Sequence, residues 1–339
     1  RNPEVAVNLE IRADECFIYT KSVDGVGGLP VGSSGKVLCL FSGGIDSPVA
    51  AFQMIKRGCY VDFMFFNPVG EKLFNDVAKI YNFLISNYNY NYVPTFYVVD
   101  GKELTAKLQK EVQDRFRQLA LKIMLYNVGE KIAKENGHLA IVTGEAISQK
   151  SSQTLQSLMF IQNQSSIPVL RPLLSLDKIE ITNIARNIGT FISSEKIKEF
   201  CNLSTGPVST SPKEKDVENI PLFKEELEFA VKNLKKYHGV VKLEEEPVSE
   251  IDYSNIMTVD IRSEAVQNLV PVKADLSIPF VEVLDRMDEF KKGKSYLFVC
   301  EFGVRSENVA FELRKKGIKA AGISVPSYVK YFMKKEIIS

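Results

Sequence analysis

Two short stretches have residue types and spacing that could do chemistry. The first, Ser42-Gly43-Gly44-Ile45-Asp46-Ser47, follows the apolar run VLCLF (37–41) and precedes a stretch with helical spacing. Its glycines let the backbone turn tightly and approach an anion. Its serines add hydroxyl donors, and a helix start brings unpaired N–H groups and the positive end of a dipole. That combination suits a pyrophosphate. Asp46 is the odd member, because a carboxylate beside phosphates needs a cation, and it is assigned to Mg²⁺. Other phosphate loops do not fit: Gly35-Lys36 is followed by Val37 and lies before the strand, and no G-x-G-x-x-G occurs here.

The second stretch starts at Cys300, where the apolar run SYLFV ends, and continues Glu301-Phe302-Gly303-Val304-Arg305-Ser306 into a helix. Backbone N–H groups and a helix N-terminus facing a thiol lower its pKa and stabilise anionic sulfur, and Arg305 adds a positive charge. A persulfide, anionic at its outer sulfur, suits such a loop. A cysteine phosphatase would place Arg sixth after the cysteine, but Arg305 is fifth and Ser306 is sixth.

These residues need a scaffold, and the chain alternates strands and helices as a parallel sheet requires. Strands are expected at 37–41, 60–66, 95–99 and 139–143, and helices at 48–57, 71–87, 102–110, 114–136 and 177–187, the last capped by Asp177. Phe65 and Phe66 end the second strand beside the glycine loop, on opposite faces. Residues 222–237 read as an amphipathic helix. A second α/β unit follows, with strands at 256–262, 295–300 and 320–324, a helix at 307–316 and a basic helical tail from Ser327. The fold class is α/β: a doubly wound parallel sheet plus a smaller α/β domain. The expected division is 1–35, a strand pair and a glycine-rich linker; 36–212, the domain of the glycine loop; 213–250, a linker with the amphipathic helix; and 251–339, the domain of Cys300.

Composition narrows the function. The 339 residues are 45% hydrophobic with a net charge of +1, so nucleic-acid contact must come from a local basic face, with lysines 232, 235, 236, 334 and 335 as candidates. No apolar run reaches the roughly 20 residues of a membrane span, and no signal peptide pattern is present. Five scattered cysteines make no disulfide scaffold, and a reducing cytoplasm is the default. Cys16, Cys39 and Cys59 read as structural. His138 and His238 form neither a zinc site nor a triad, and His138, after Gly137, reads as a capping or surface residue. Cys201 could be inert or reactive.

SGGIDS resembles the loop of the PP-loop ATP pyrophosphatases, with their adenine nucleotide alpha hydrolase-like fold. Leu29-Pro30-Val31-Gly32-Ser33-Ser34-Gly35-Lys36 running through SGGIDSPVAA is similar to the tRNA 4-thiouridine synthetases, the tRNA uridine 4-sulfurtransferases. Thr143-Gly144-Glu145, Ser152-Gln153-Thr154-Leu155 and Pro168-Val169-Leu170-Arg171-Pro172-Leu173 followed by Asp177-Lys178 extend the match. The resemblance implies ATP contacts at Leu40, Phe41, Ser42, Gly43, Gly44, Asp46, Ser47, Phe65, Phe66, Gly144 and Gln153. A basic contact, Arg in the family, falls on Lys122.

The Cys300 loop, with Asp260-Ile261-Arg262 and Ser277-Ile278-Pro279-Phe280, resembles the rhodanese domain that some family members carry. That implies a persulfide on Cys300, cradled by Gly303, Arg305 and Ser306, and makes Cys201 the partner that attacks it and ends in a disulfide with Cys300. Residues 1–35 would be the tail of an upstream THUMP-like domain.

The implied reaction adenylates uridine 8 of tRNA and replaces its O4 with sulfur. ATP and Mg²⁺ are the cofactors; tRNA and a cysteine desulfurase are the partners, with a homodimer allowed and no membrane. Sulfur supply to the thiazole of thiamine is a second family role. The alternatives are another PP-loop synthetase or amidotransferase, or a non-enzymatic sulfur carrier.

Overall fold

In the computed structural model, which describes residues 5–20, 25–197, 203–204, 206–243 and 256–333, three sheets form. The first is an antiparallel pair, β1 (Asn8–Arg12) and β2 (Glu15–Tyr19), turning at Ala13. Cys16 on β2 is exposed, so it packs no core.

The main sheet grows from central strands that are mainly apolar because both faces are covered. Its elements are β3 (Lys36–Leu40), α1 (Asp46–Lys56), β4 (Tyr60–Asn67), α2 (Glu71–Tyr88), β5 (Thr95–Asp100), α3 (Lys102–Glu111), α4 (Arg117–Glu135), β6 (Ala140–Val142), α5 (Leu155–Gln162), β7 (Val169–Leu170), α6 (Lys178–Asn187) and α7 (Phe191–Glu195). They are followed by α8 (Glu214–Glu218), α9 (Lys224–Lys232) and β8 (Lys235–His238).

The strand order is β7-β6-β3-β4-β5-β8. Val37 and Cys39 of β3 face one core with α1, α2 and α6, while Leu38 faces the other with α3, α4 and α9. The order in which strands are added switches sides at β3, which pairs in parallel with β4 on one side and β6 on the other. A crevice at the carboxyl ends of such strands is where open α/β sheets place ligands.

Two differences from the sequence reading appear here. The amphipathic helix ends at Lys232, and Lys235–His238 is a strand antiparallel to β5, so the sheet is not wholly parallel. The stretch read as a linker therefore completes the sheet. Tyr237 packs on Phe74 while the lysines of β8 stay at the edge, a common way to blunt an exposed strand.

The second difference is His138, which is buried. Its Nε2 lies 3.0 Å from Asp62 Oδ2, in a network where Lys36 Nζ is 2.9 Å from the same oxygen. Tyr92 Oη and the Thr95 N–H donate to Asp62 Oδ1 at 2.7 and 2.8 Å.

The smaller unit comprises β9 (Ile256–Asp260), α10 (Glu264–Leu269), β10 (Leu276–Ser277), α11 (Phe280–Val283), β11 (Ser295–Cys300), α12 (Val304–Lys315), β12 (Lys319–Ser324) and α13 (Val325–Tyr328). Its sheet is parallel, in the order β10-β9-β11-β12. Helix α12 starts three residues before the expected Glu307, directly after the cysteine loop. Gly322 lets β12 approach it, since a Cβ there would lie 2.2 Å from the Glu307 nitrogen.

Removing the Asp62 carboxylate leaves Lys36 and the buried donors around it unpaired. Asp62→Ala is expected to cost about 3–5 kcal/mol, the usual penalty for breaking a buried ion pair. Equilibrium denaturation checks this; a loss below ~1 kcal/mol would mean that the network holds nothing together.

Candidate active site

Phe41 continues β3 for one more residue, its N–H donating to the Met64 carbonyl at 2.7 Å, and the chain then turns through Ser42–Ile45 into α1. The loop is braced internally. The Ser42 N–H donates to Ser47 Oγ at 3.0 Å, the two hydroxyls are 3.2 Å apart, and the Gly44 N–H donates to Ser42 Oγ at 3.4 Å.

No side chain caps α1, so its first-turn N–H groups are left for a ligand. The helix opens at Asp46, and Pro48, expected to start it, is its third residue. Proline still costs nothing there, because the first four N–H groups have no partner within the helix.

Two glycines are required by close approach. Gly43 has φ +74°, and a Cβ on it would sit 2.7 Å from Ile197 Cδ1. A Cβ on Gly144 would sit 2.8 Å from the Asp46 carbonyl carbon, so the β6 loop lies directly on the start of α1.

The cleft above this junction is lined by Leu40, Phe41, Ser42, Gly44, Asp46, Ser47, Phe65, Phe66, Lys122, Gly144 and Gln153. These are nucleotide contacts expected from the sequence, of which Gly43 alone is not in the lining; Met64, Pro68, Leu73, Thr105, Lys150 and Ile197 are among the lining residues that were not expected. Phe65 also stacks on Phe96, with ring centroids 6.4 Å apart, and Phe66 lies against Gly101. Each ring thus serves core and cleft together. Gln153 is 3% exposed, and its Oε1 has no hydrogen-bond partner among the described residues, which fits a carbonyl kept for a ligand.

Sequence reasoning missed the charges behind the lining. Glu145 is buried, with Tyr126 Oη at 2.6 Å, Arg171 Nε at 2.9 Å, Thr143 Oγ1 at 3.1 Å and Lys122 Nζ at 3.1 Å. Burial pushes its pKa up. The Lys122 charge, the Tyr126 hydrogen bond and Arg171 outweigh burial and hold the carboxyl at about 2. Lys122 is therefore braced at the cleft wall by a charge that stays on.

Asp46 accepts from Lys178 Nζ at 2.9 Å and from Gln149 Nε2 at 3.4 Å. Both Glu145 and Lys178 lay inside quoted motifs, Thr143-Gly144-Glu145 and Asp177-Lys178, and adjacency to a matched residue was the available signal.

Asp46 is the only carboxylate lining the cleft among the described residues, and no group of three metal-ligating side chains gathers anywhere among them. That donor set fits an ion such as Mg²⁺ that keeps waters and takes its other ligands from phosphates.

Cys300 ends β11 and is 2% exposed. The Ser306 N–H donates to its sulfur at 3.3 Å, and Ser306 Oγ lies at the same distance. Gly303, at φ +81°, turns the loop into α12.

Two expectations are corrected here. Burial pushes the Cys300 thiol up; the hydrogen bonds from Ser306 and the Phe302 N–H oppose it without winning. Arg305 does not serve the sulfur in this arrangement, because its guanidinium reaches Asn87 Oδ1 on α2. Cys39 and Cys59 are buried as read, and Cys201 lies outside the described residues.

A glycine–serine loop at the switch point of a mostly parallel sheet, feeding an uncapped helix, defines a nucleotide-binding α/β protein of the PP-loop kind. Residues 32–229 match the family model described as thiamine biosynthesis protein (ThiI), and the chain belongs to that family.

A tRNA sulfurtransferase from Pyrobaculum aerophilum is 33% identical over 337 residues, covering 94% of this chain and 68% of its own length. One from Escherichia coli O157:H7 is 31% identical over 343 residues, covering 96% and 70%. A solved 4-thiouridine synthetase–RNA complex with bound ATP is similar at a TM-score of 0.63 and 32% identity, over 70% of this chain and 64% of that one.

The depressed pKa of Glu145 carries a pH prediction. A carboxyl lowered from 4.5 to about 2 contributes stability that is complete above the unfolded value and is lost as pH falls through the folded one. Denaturation midpoints measured from about pH 5 down to ~2 should fall more steeply in the wild type than in Glu145→Gln. Parallel curves would show that Glu145 is not ionised in the fold.

Proposed function

We propose that this chain is an ATP-dependent tRNA sulfurtransferase that converts uridine 8 to 4-thiouridine in two coupled sites. The observation that carries this reading is one cleft that combines an uncapped helix start, loop hydroxyls, a braced Lys122 and a buried Gln153 carbonyl without a partner.

ATP lies with its phosphates on Ser42–Ser47 and its base toward Phe65 and Phe66. The uridine O4 attacks the α-phosphorus, the bond to the β-phosphate oxygen breaks, and pyrophosphate leaves. The loop N–H groups and the first turn of α1 take up charge as it develops on the phosphate oxygens, where fixed dipoles are most effective. Lys122, held by Glu145, adds a cation that needs no reorganisation.

Asp46 would hold Mg²⁺ together with phosphate oxygens, and the bound ion would neutralise charge on the leaving pyrophosphate. Lys178 balances the same carboxylate.

Sulfur arrives as a persulfide on Cys300, in a rhodanese-like domain, loaded by a cysteine desulfurase. Either its outer sulfur attacks C4 of the adenylated uridine, AMP leaves, and Cys201 then attacks the Cys300 sulfur of the new S–S link to free 4-thiouridine; or Cys201 attacks first and frees sulfide, which displaces AMP. Both routes close a Cys201–Cys300 disulfide, which an external thiol reduces before the next turnover. The family description names thiamine biosynthesis, which adds a second reading, sulfur supply that would need Cys300 but not necessarily ATP.

Asp46→Ala should lower tRNA-dependent pyrophosphate release by roughly 10²-fold or more, the scale of a lost positioning group, while Cys300 still takes up a persulfide. Wild-type release from this variant would sink the assignment of Asp46. Cys300→Ser should release pyrophosphate yet form no 4-thiouridine with a desulfurase as donor, since a hydroxyl cannot hold a sulfane sulfur. Nucleoside analysis of tRNA by mass spectrometry reads the product. Full thiolation by Cys300→Ser would remove the carrier role.

A further inference from the structure

Arg305 belongs to the loop that carries the reactive sulfur, yet its contacts lie elsewhere. Its guanidinium sits 5.9 Å from the ring centre of Phe83 on α2 and 5.3 Å from that of Phe280 on α11, with one ring from each sheet unit. It also donates to Asn87 Oδ1. That amide is itself oriented, because Asn87 Nδ2 donates to the Phe83 carbonyl at 2.7 Å and so turns the oxygen toward the arginine.

Two more side chains on the same turn of α12 complete the contact. Asn308 Nδ2 donates to the Gly189 carbonyl at 3.0 Å, and Glu307 accepts from Lys196 Nζ at 2.7 Å. The sulfur keeps a separate set of partners, the Ser306 N–H and hydroxyl.

We propose that Arg305 is a docking side chain and not a sulfur ligand: with Glu307 and Asn308 it seats the Cys300 loop on the larger domain. The inference rests on the reading of Cys300 as the sulfur carrier. Chain geometry supports the placement. Lys196 meets α12, while the next residue, Ile197, lines the nucleotide cleft against Gly43. The α12 contact at Lys196 is thus one residue along the chain from the cleft lining, while Arg305 and Asn308 meet the late turns of α2 and the residue pair after α6.

The contact is polar and rests on few side chains, as suits an interface that forms and releases during a cycle. Release would leave Arg305 and the loop facing a donor. During loading, the Cys300 thiolate attacks the outer sulfur of the donor's persulfide. The donor's S–S bond breaks, a new one forms on Cys300, and the donor leaves as a thiolate with no net oxidation.

The test compares Arg305→Ala, Asn87→Ala, their double variant and the wild type, with two readouts that need neither ATP nor tRNA. A zero-length carbodiimide coupling joins Lys196 to Glu307 when the domains are seated, and peptide mass spectrometry quantifies it. The pH profile of Cys300 alkylation by iodoacetamide, read on the same peptides, reports whether Arg305 acts on the sulfur.

Docking predicts coupling reduced about three- to tenfold in each single variant, with the double variant no worse, as expected for side chains acting as one unit. It also predicts an unmoved alkylation profile, retained persulfide loading from a small persulfide donor, and 4-thiouridine formation with kcat lowered. An alkylation profile displaced upward in Arg305→Ala but not in Asn87→Ala would overturn the proposal and make Arg305 a sulfur ligand. Undiminished coupling in both single variants would overturn it as well. Coupling that follows docking while the wild type forms no 4-thiouridine would leave the docking contact standing and remove the enzymatic reading instead.

Discussion

Asp62 has no exposed surface, and a buried carboxylate costs several kcal/mol unless its lone pairs are used. Here they are used on residues from three neighbouring segments. Lys36 opens β3, Thr95 opens β5, and His138 lies two residues before β6. Burial pushes the Asp62 pKa up, but the hydrogen bonds from His138, the Thr95 N–H, Lys36 and Tyr92 bring it below the ordinary range, so the charge stays on. The interaction pins the starts of strands whose other ends form the cleft. A parallel ladder transmits such a constraint along its length, because a slip of one residue would turn every core side chain to the wrong face.

At the carboxyl ends the problem is different. There the fold must leave donors unpaired, where elsewhere it pairs them, and it must do so without collapse. Ser42 and Ser47 bond to one another and to loop N–H groups, which fixes the shape of the turn while the start of α1 stays uncapped. Gly144 then lies against Asp46 closely enough to exclude any side chain. One residue further on, Glu145 holds both Lys122 and Arg171. Lys122 lacks the planar fork of an arginine and can be aimed only as a point charge. The buried Glu145 carboxylate supplies that aim.

How much of this was legible follows from the range of each interaction. β3, β4 and β5 were readable because burial on both faces leaves mainly apolar runs, broken in β4 by Asp62, and SGGIDS was readable because its chemistry is local. β8 was not. Lys235 and Lys236 sit where a helical period from Phe223 still matches, and only pairing with β5 makes the segment a strand. His138 looked like a helix-end residue because its partner, Asp62, is 76 positions away. Arg305 looked like a sulfur ligand because it is near Cys300 in sequence; its actual partner is 218 positions away. Local geometry was predicted well, and long-range ion pairs and hydrogen bonds accounted for the misses.

The state of Cys300 also has a physical logic. A thiol with burial against it and only Ser306 and a backbone N–H in its favour remains protonated more readily than an exposed one, and a protonated thiol is a poor nucleophile and a poor target for oxidants. The same pocket treats a persulfide differently. The charge of a persulfide would sit on its outer sulfur, one bond away from the inner atom that the apolar core encloses. On the proposed reading of Cys300 as the sulfur carrier, a pocket that disfavours a thiolate at the first sulfur would distinguish an empty carrier from a loaded one.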